Sequence, residues 1–75
     1  MPDGGLERMQ DRLCEVEGLI KRAHRLLEMQ LAVVQELRGA GRDTRVAEAR
    51  LLRLLDTESA LQAEKRMILE FLGDA

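Results

Sequence analysis

Stepping alternately by three and four residues from Leu6, the chain reads Leu6, Met9, Leu13, Val16, Ile20, Ala23, Leu27, Gln30, Val34, Leu37. Nine of these ten positions are apolar. That spacing holds one apolar face on an α-helix for more than four heptads, and no strand can use it, because strand side chains alternate with a period of two. Leu6, Leu13, Ile20, Leu27 and Val34 take the a positions. Leu19, Leu26 and Val33 then fall on g and Leu31 on e, so the apolar face is wider than a two-stranded seam and suits a bundle core.

A second series follows: Ala47, Leu51, Leu54, Glu58, Leu61, Lys65, Ile68, Leu72, of which six of eight are apolar. Leu52, Leu55, Met67, Leu69 and Phe71 widen this stripe on either side. Glycines punctuate the chain at Gly4-Gly5, Gly39-Ala40-Gly41 and Gly73. Gly39 or Gly41 is suited to the left-handed residue that ends the first helix, and Asp43 or Thr44 to the N-cap of the second. The expected fold class is all-α, an antiparallel helical hairpin of two long helices that dimerises into a four-helix bundle. The expected boundaries are a flexible start at 1–5, helix 6–38, turn 39–43, helix 44–72 and a tail at 73–75, in one domain. A link this short makes the helices antiparallel neighbours. Arms of about 45–50 Å follow from 1.5 Å per residue. Folding back at 39–42 places Leu37 near Ala47, Gln30 near Leu54 and Leu55, Leu27 near Glu58, Ile20 near Lys65, and Leu13 near Leu72.

Composition agrees with helices. Aromatics are 1% of 75 residues, a single Phe71, and Pro2 is the only proline, which argues against a sandwich or barrel. Twelve basic against fourteen acidic residues leave a net charge of -2, so no overall field drives the chain onto nucleic acid or anionic lipid. The lone Cys14 has no internal disulfide partner, the start is acidic and glycine-rich, and the longest apolar run is Leu31-Ala32-Val33-Val34. These features lead us to expect a cytoplasmic protein with no membrane contact. The excess of Arg, Leu and Ala over Lys suggests a GC-rich bacterial source.

One hairpin hides only its facing seam. Leu19, Leu26, Leu31, Val33, Leu52, Leu55 and Leu69 would stay wet, together forming an apolar strip, and a chain this small gains little from a single core. The expected use of these seven residues is a dimer interface between two copies, or a surface for an unidentified protein partner such as the helix bound by a chaperone or antitoxin. Gln30, Glu58 and Lys65 are polar at seam positions and read as elements that specify register, with Glu58 facing His24 or Arg25.

Other chemistry finds little support. His24 and Glu28 lie one turn apart with Glu58 across the seam, but one histidine is too few for a metal site, and no cofactor is expected. Cys14 reads as a spectator thiol. Gly18, mid-helix and opposite the seam, is either a tolerated surface glycine or a point of close approach. Asp11, Glu7 and Glu15 interleave with Arg8 and Arg12 as surface charge. Ser59 is the only serine, and no phosphate-binding or nucleophile motif is present, so no enzyme is expected. Arg38, Arg42, Arg45 and Arg50 gather at the turn end and carry the alternative reading, a nucleic-acid-binding regulator. Acidic neighbours and the absence of stacking aromatics weaken it.

Overall fold

The computed structural model describes residues 4–74. Helix α1 spans Gly4–Gly39 and helix α2 spans Arg45–Asp74, packed antiparallel as a hairpin. Helix α1 runs past both expected ends and α2 past its expected C-terminal end, while α2 begins at Arg45, one residue after the expected 44. Gly4 and Gly5 are already helical, and Gly73 lies within α2 rather than in a tail. The remaining expected terminal segments, 1–3 and 75, lie outside the described residues. Glycine disfavours a helix interior by only about 1 kcal/mol, so a helix held by the packing of its next turns can extend over it.

The reversal is built from backbone bonds. The Arg42 N–H donates to the Leu37 carbonyl (2.8 Å) and the Gly41 N–H to the Arg38 carbonyl (3.1 Å), the paired bonds of a Schellman ending. Gly41 has φ +70°, the one position here where a side chain would strain the backbone. On the other side, the Thr44 carbonyl accepts the Glu48 N–H (2.8 Å) as the first helical bond of α2, while the Asp43 carboxylate caps the helix by accepting the Arg45 N–H (3.0 Å). Asp43 is thereby held below the usual carboxylate range, first by the Arg45 side chain and then by its backbone N–H.

The pivot at Gly41 sets the register. His24 and Glu58 lie equally far from Gly41 along the chain and meet at 3.0 Å, as do Glu17 and Lys65 at 3.5 Å. Glu58 therefore faces His24, one turn from the expected Leu27, and Lys65 faces Glu17 rather than Ile20. Gln30 reaches the Ala47 carbonyl (3.0 Å), not Leu54 or Leu55. The expected register placed the reversal later than Gly41 and was displaced accordingly, by about one turn.

The core is thin. Among the described residues Val16, Ile20, Ala23, Val34, Ala47 and Ile68 are the buried hydrophobics, and only Val16 is fully closed from solvent. Val16, Ile20 and Ile68 form the central cluster, with Met9, Leu13, Leu61 and Leu72 packed against it. All six core residues belong to the two apolar series, so the expected seam is the observed one. The molecule measures 60 × 15 × 15 Å with a radius of gyration of 17.2 Å. A compact chain of this length would have a radius near 11 Å, so this is a rod with a seam rather than a body with an interior.

Candidate interaction surface

A heptad has two flanks beside its seam, and the polar contacts identify which residues share each. On one flank Glu17 pairs with Lys65, His24 with Glu58, and Arg38 with Glu48 (2.8 Å), so ion pairs line it from one half to the other. These α1 residues stand at multiples of seven, and Leu31 falls in the same column between His24 and Arg38. On the opposite flank the one cross-helix ion pair among the described residues is Arg12 with Glu64. The Arg12 Nε donates to Glu64 Oε2 (2.6 Å) and its Nη2 to Oε1 (2.9 Å), a two-pronged fit that a guanidinium makes and an ammonium does not. Its Nη1 also donates to Glu15 (2.9 Å). Glu64 is held below, and Arg12 above, their ordinary ranges by this bonding. Leu19, Leu26 and Val33 continue the Arg12 column at heptad spacing.

The surplus apolar residues expected to make a single strip are thus divided. Leu19 is half-buried, and with the exposed Leu26 and Val33 it lies on the Arg12–Glu64 flank. Leu31, Leu55 and Leu69 lie on the opposite flank with Leu52 at its outer edge, all exposed. Leu26 and Val33 are each 42% exposed, Leu55 45% and Leu52 62%, so the hairpin does not shield them within its own chain. The physical reason for the division is that the g and e positions of a helix stand on opposite sides of its a/d seam.

Each flank carries an apolar groove. Met9, Arg12, Glu64, Met67, Ile68 and Phe71 line one of about 340 Å³ near the open end. Leu27, Glu28, Leu31, Leu51 and Leu55 line one of about 290 Å³ in the turn half of the other flank. A third groove is lined by Ile20 and by the polar side chains of Glu17, Lys21, His24, Gln62 and Lys65. Sequence reasoning missed four exposed contributors to the Arg12–Glu64 flank, or gave them no role in an interface: Met29, Val46, Met67 and Phe71. Met29, Val46 and Met67 stand at the position next to g and Phe71 at g itself, in the column of Glu64, where an apolar residue extends that flank outward.

The seam's polar residues are half-buried rather than enclosed. Among the described residues no polar or charged side chain is buried. Gln30 donates to the Ala47 carbonyl, and Glu58 accepts from Gln62 (3.0 Å) besides meeting His24. These two partners, Gln62 first, hold the Glu58 carboxyl below its ordinary range. Each polar group thus bonds across the seam or along its own helix, and an apolar replacement would leave the partner without it.

At the turn end, Arg38 is paired with Glu48 and Arg45 with Asp43 (2.9 Å). Arg38 and Arg45 belong to the flank of Leu31, Arg50 to the opposite flank, and Arg42 to the loop. The fold does not bring the four arginines onto one face. His24 and Glu58 meet, but Glu28 does not join them, and among the described residues no group of three or more His, Cys, Asp or Glu is placed to hold a metal ion. Cys14 is exposed. A Cβ on Gly18 would meet nothing within 4 Å, so the chain itself requires no close approach there. No described helix is long and apolar enough to cross a membrane. No protein-family model, curated protein or solved structure matches this chain.

Proposed function

We propose that this is a small, non-enzymatic bacterial protein of the cytoplasm that works as a homodimeric interaction or adaptor module, two hairpins joining in a four-helix bundle. One observation carries the reading: among the described residues eleven large hydrophobic side chains are exposed, against six hydrophobic residues buried. The area says the same. The chain exposes 5918 Å². A compact monomer of 75 residues exposes roughly 4,700 Å². The excess, on the order of 1,200 Å², is what a rod-shaped monomer leaves for another molecule to cover.

A single apolar face would serve self-association alone. Two apolar flanks allow one to join a second copy while the other receives a partner helix, the arrangement an adaptor needs. The Leu27, Leu31, Leu51 and Leu55 groove suits a leucine-bearing helix laid along it. Sedimentation velocity across a dilution series from tens of micromolar to nanomolar tests self-association. The expected result is a dimer that dissociates on dilution with loss of thermal stability. A folded monomer at every concentration overturns it.

A further inference from the structure

Resting on that homodimer reading, we infer that the two copies join through the Arg12–Glu64 flank, and that the flank bridged by Glu17–Lys65, His24–Glu58 and Arg38–Glu48 stays outward. Two observations favour this face, and area identifies its occupant. Six of the eleven exposed large hydrophobics lie on it: Leu26, Met29, Val33, Val46, Met67 and Phe71. The opposite flank holds four. They are also spread along the rod, from Val33 and Val46 beside the turn through Leu26 and Met29 to Met67 and Phe71 at the open end, whereas three of the opposite flank's four, Leu31, Leu52 and Leu55, sit in the turn half and Leu69 alone lies towards the open end.

The second observation is the polar lining. The outward flank has three ion pairs along its seam, with Lys21 and Gln62 in the groove between them. Docking a second copy there would desolvate all three, a cost that association rarely recovers. The Arg12–Glu64 flank carries a single such pair. Its two-pronged geometry satisfies both groups before a partner arrives, the condition under which a charge pair is tolerated in an interface.

The occupant follows from area. One long face of the rod, 60 Å by 15 Å, offers about 900 Å² per copy, and two copies bury about 1,800 Å² between them, inside the range of a stable interface. A second copy brings a face of the same length and the same end-to-end apolar run. A single partner helix, about 10–12 Å across, would leave part of that 15 Å width uncovered. The occupant is therefore a second copy of this chain.

Matched substitutions separate the flanks, because Leu26 and Leu55 are almost equally exposed. In sedimentation velocity with helicity followed by circular dichroism, Leu26→Glu should turn the dimer into a helical monomer. Leu55→Glu should leave the dimer intact. The converse result, loss of the dimer with both variants, or its retention with both, overturns the assignment of the face while the dimer itself stands. A monomeric wild-type chain overturns the homodimer reading first. Should Leu26→Glu lose its helicity, the wild-type protein still decides. Met29 and Met67, 65% and 69% exposed in the single hairpin, should be oxidised by peroxide several-fold more slowly in the dimer than after dilution. Cys14, in the column of Lys21 and so on the outward side, should be alkylated at the same rate in both. Protection of Cys14 with unprotected methionines places the second copy on the other flank and refutes the inference.

Discussion

Ile68→Ala measures how much of this fold rests on its one central cluster. Ile68 is 5% exposed and packs with Val16 (0%) and Ile20 (7%). The substitution removes three carbons from a dry site, at about 0.8 kcal/mol each, and adds a cavity cost that depends on how far the neighbours can close in. Met9 and Met67 line the adjoining groove with Ile68. Their unbranched thioethers can lean into the space, which keeps the cost near the low end of the usual range, at about 3 kcal/mol. A single core in a chain of this size supplies only about 3–5 kcal/mol, so the variant should sit near its unfolding midpoint without denaturant. Urea titration followed at 222 nm, with all variants at one protein concentration, reads the loss as a shift in midpoint at constant m. Leu52→Ala, 62% exposed on α2, is the control and should move stability by less than about 0.5 kcal/mol. A loss below about 1 kcal/mol for Ile68→Ala, or an equal loss for Leu52→Ala, would refute the reasoning that the Val16–Ile20–Ile68 cluster holds the hairpin.

Two glycines should respond with opposite signs in thermal melts. Gly18→Ala should raise stability by about 1 kcal/mol, since its Cβ enters open space on a helix, while Gly41→Ala should lower it by about 1 kcal/mol, since φ is positive there; the same sign for both would contradict the turn geometry. Acid should weaken the fold in a defined direction. Glu58, Glu64 and Asp43 are held below their ordinary values, so their contribution is complete above that range and is lost as pH falls from about 4 downward through their folded values. Urea midpoints at pH 6 and pH 3 should differ, and Glu64→Gln should shrink the difference; a midpoint indifferent to pH would remove these pairs from the account. Gln30→Leu exchanges the amide bond to Ala47 for apolar seam, and should leave stability equal or higher by about 1 kcal/mol while broadening the amide spectrum through loss of a fixed register; a marked loss of stability would show that the amide contributes more than specification.

The hairpin itself was legible because a 3.6-residue apolar period over thirty residues, a glycine break and a second such period admit few other arrangements. Every core residue could be named from spacing alone, since Val16, Ile20, Ala23, Val34, Ala47 and Ile68 all stand at seam positions. Spacing also brought Glu58 towards His24 or Arg25, and the structure selects His24. Register was not legible, because a leucine series packs almost equally well one turn along, and only the turn breaks that degeneracy.

Local periodicity determined the helices, their apolar faces and the fact that more oily surface exists than two helices can enclose, because each is a property of residues close together in the chain. The pivot at Gly41, the two-pronged Arg12–Glu64 pair, and the division of the surplus leucines onto opposite flanks were decided by the tertiary structure. Those depend on which α2 residue faces which α1 residue. That choice was made by two backbone hydrogen bonds and one left-handed glycine in the turn, geometry that hydrophobic patterning does not encode.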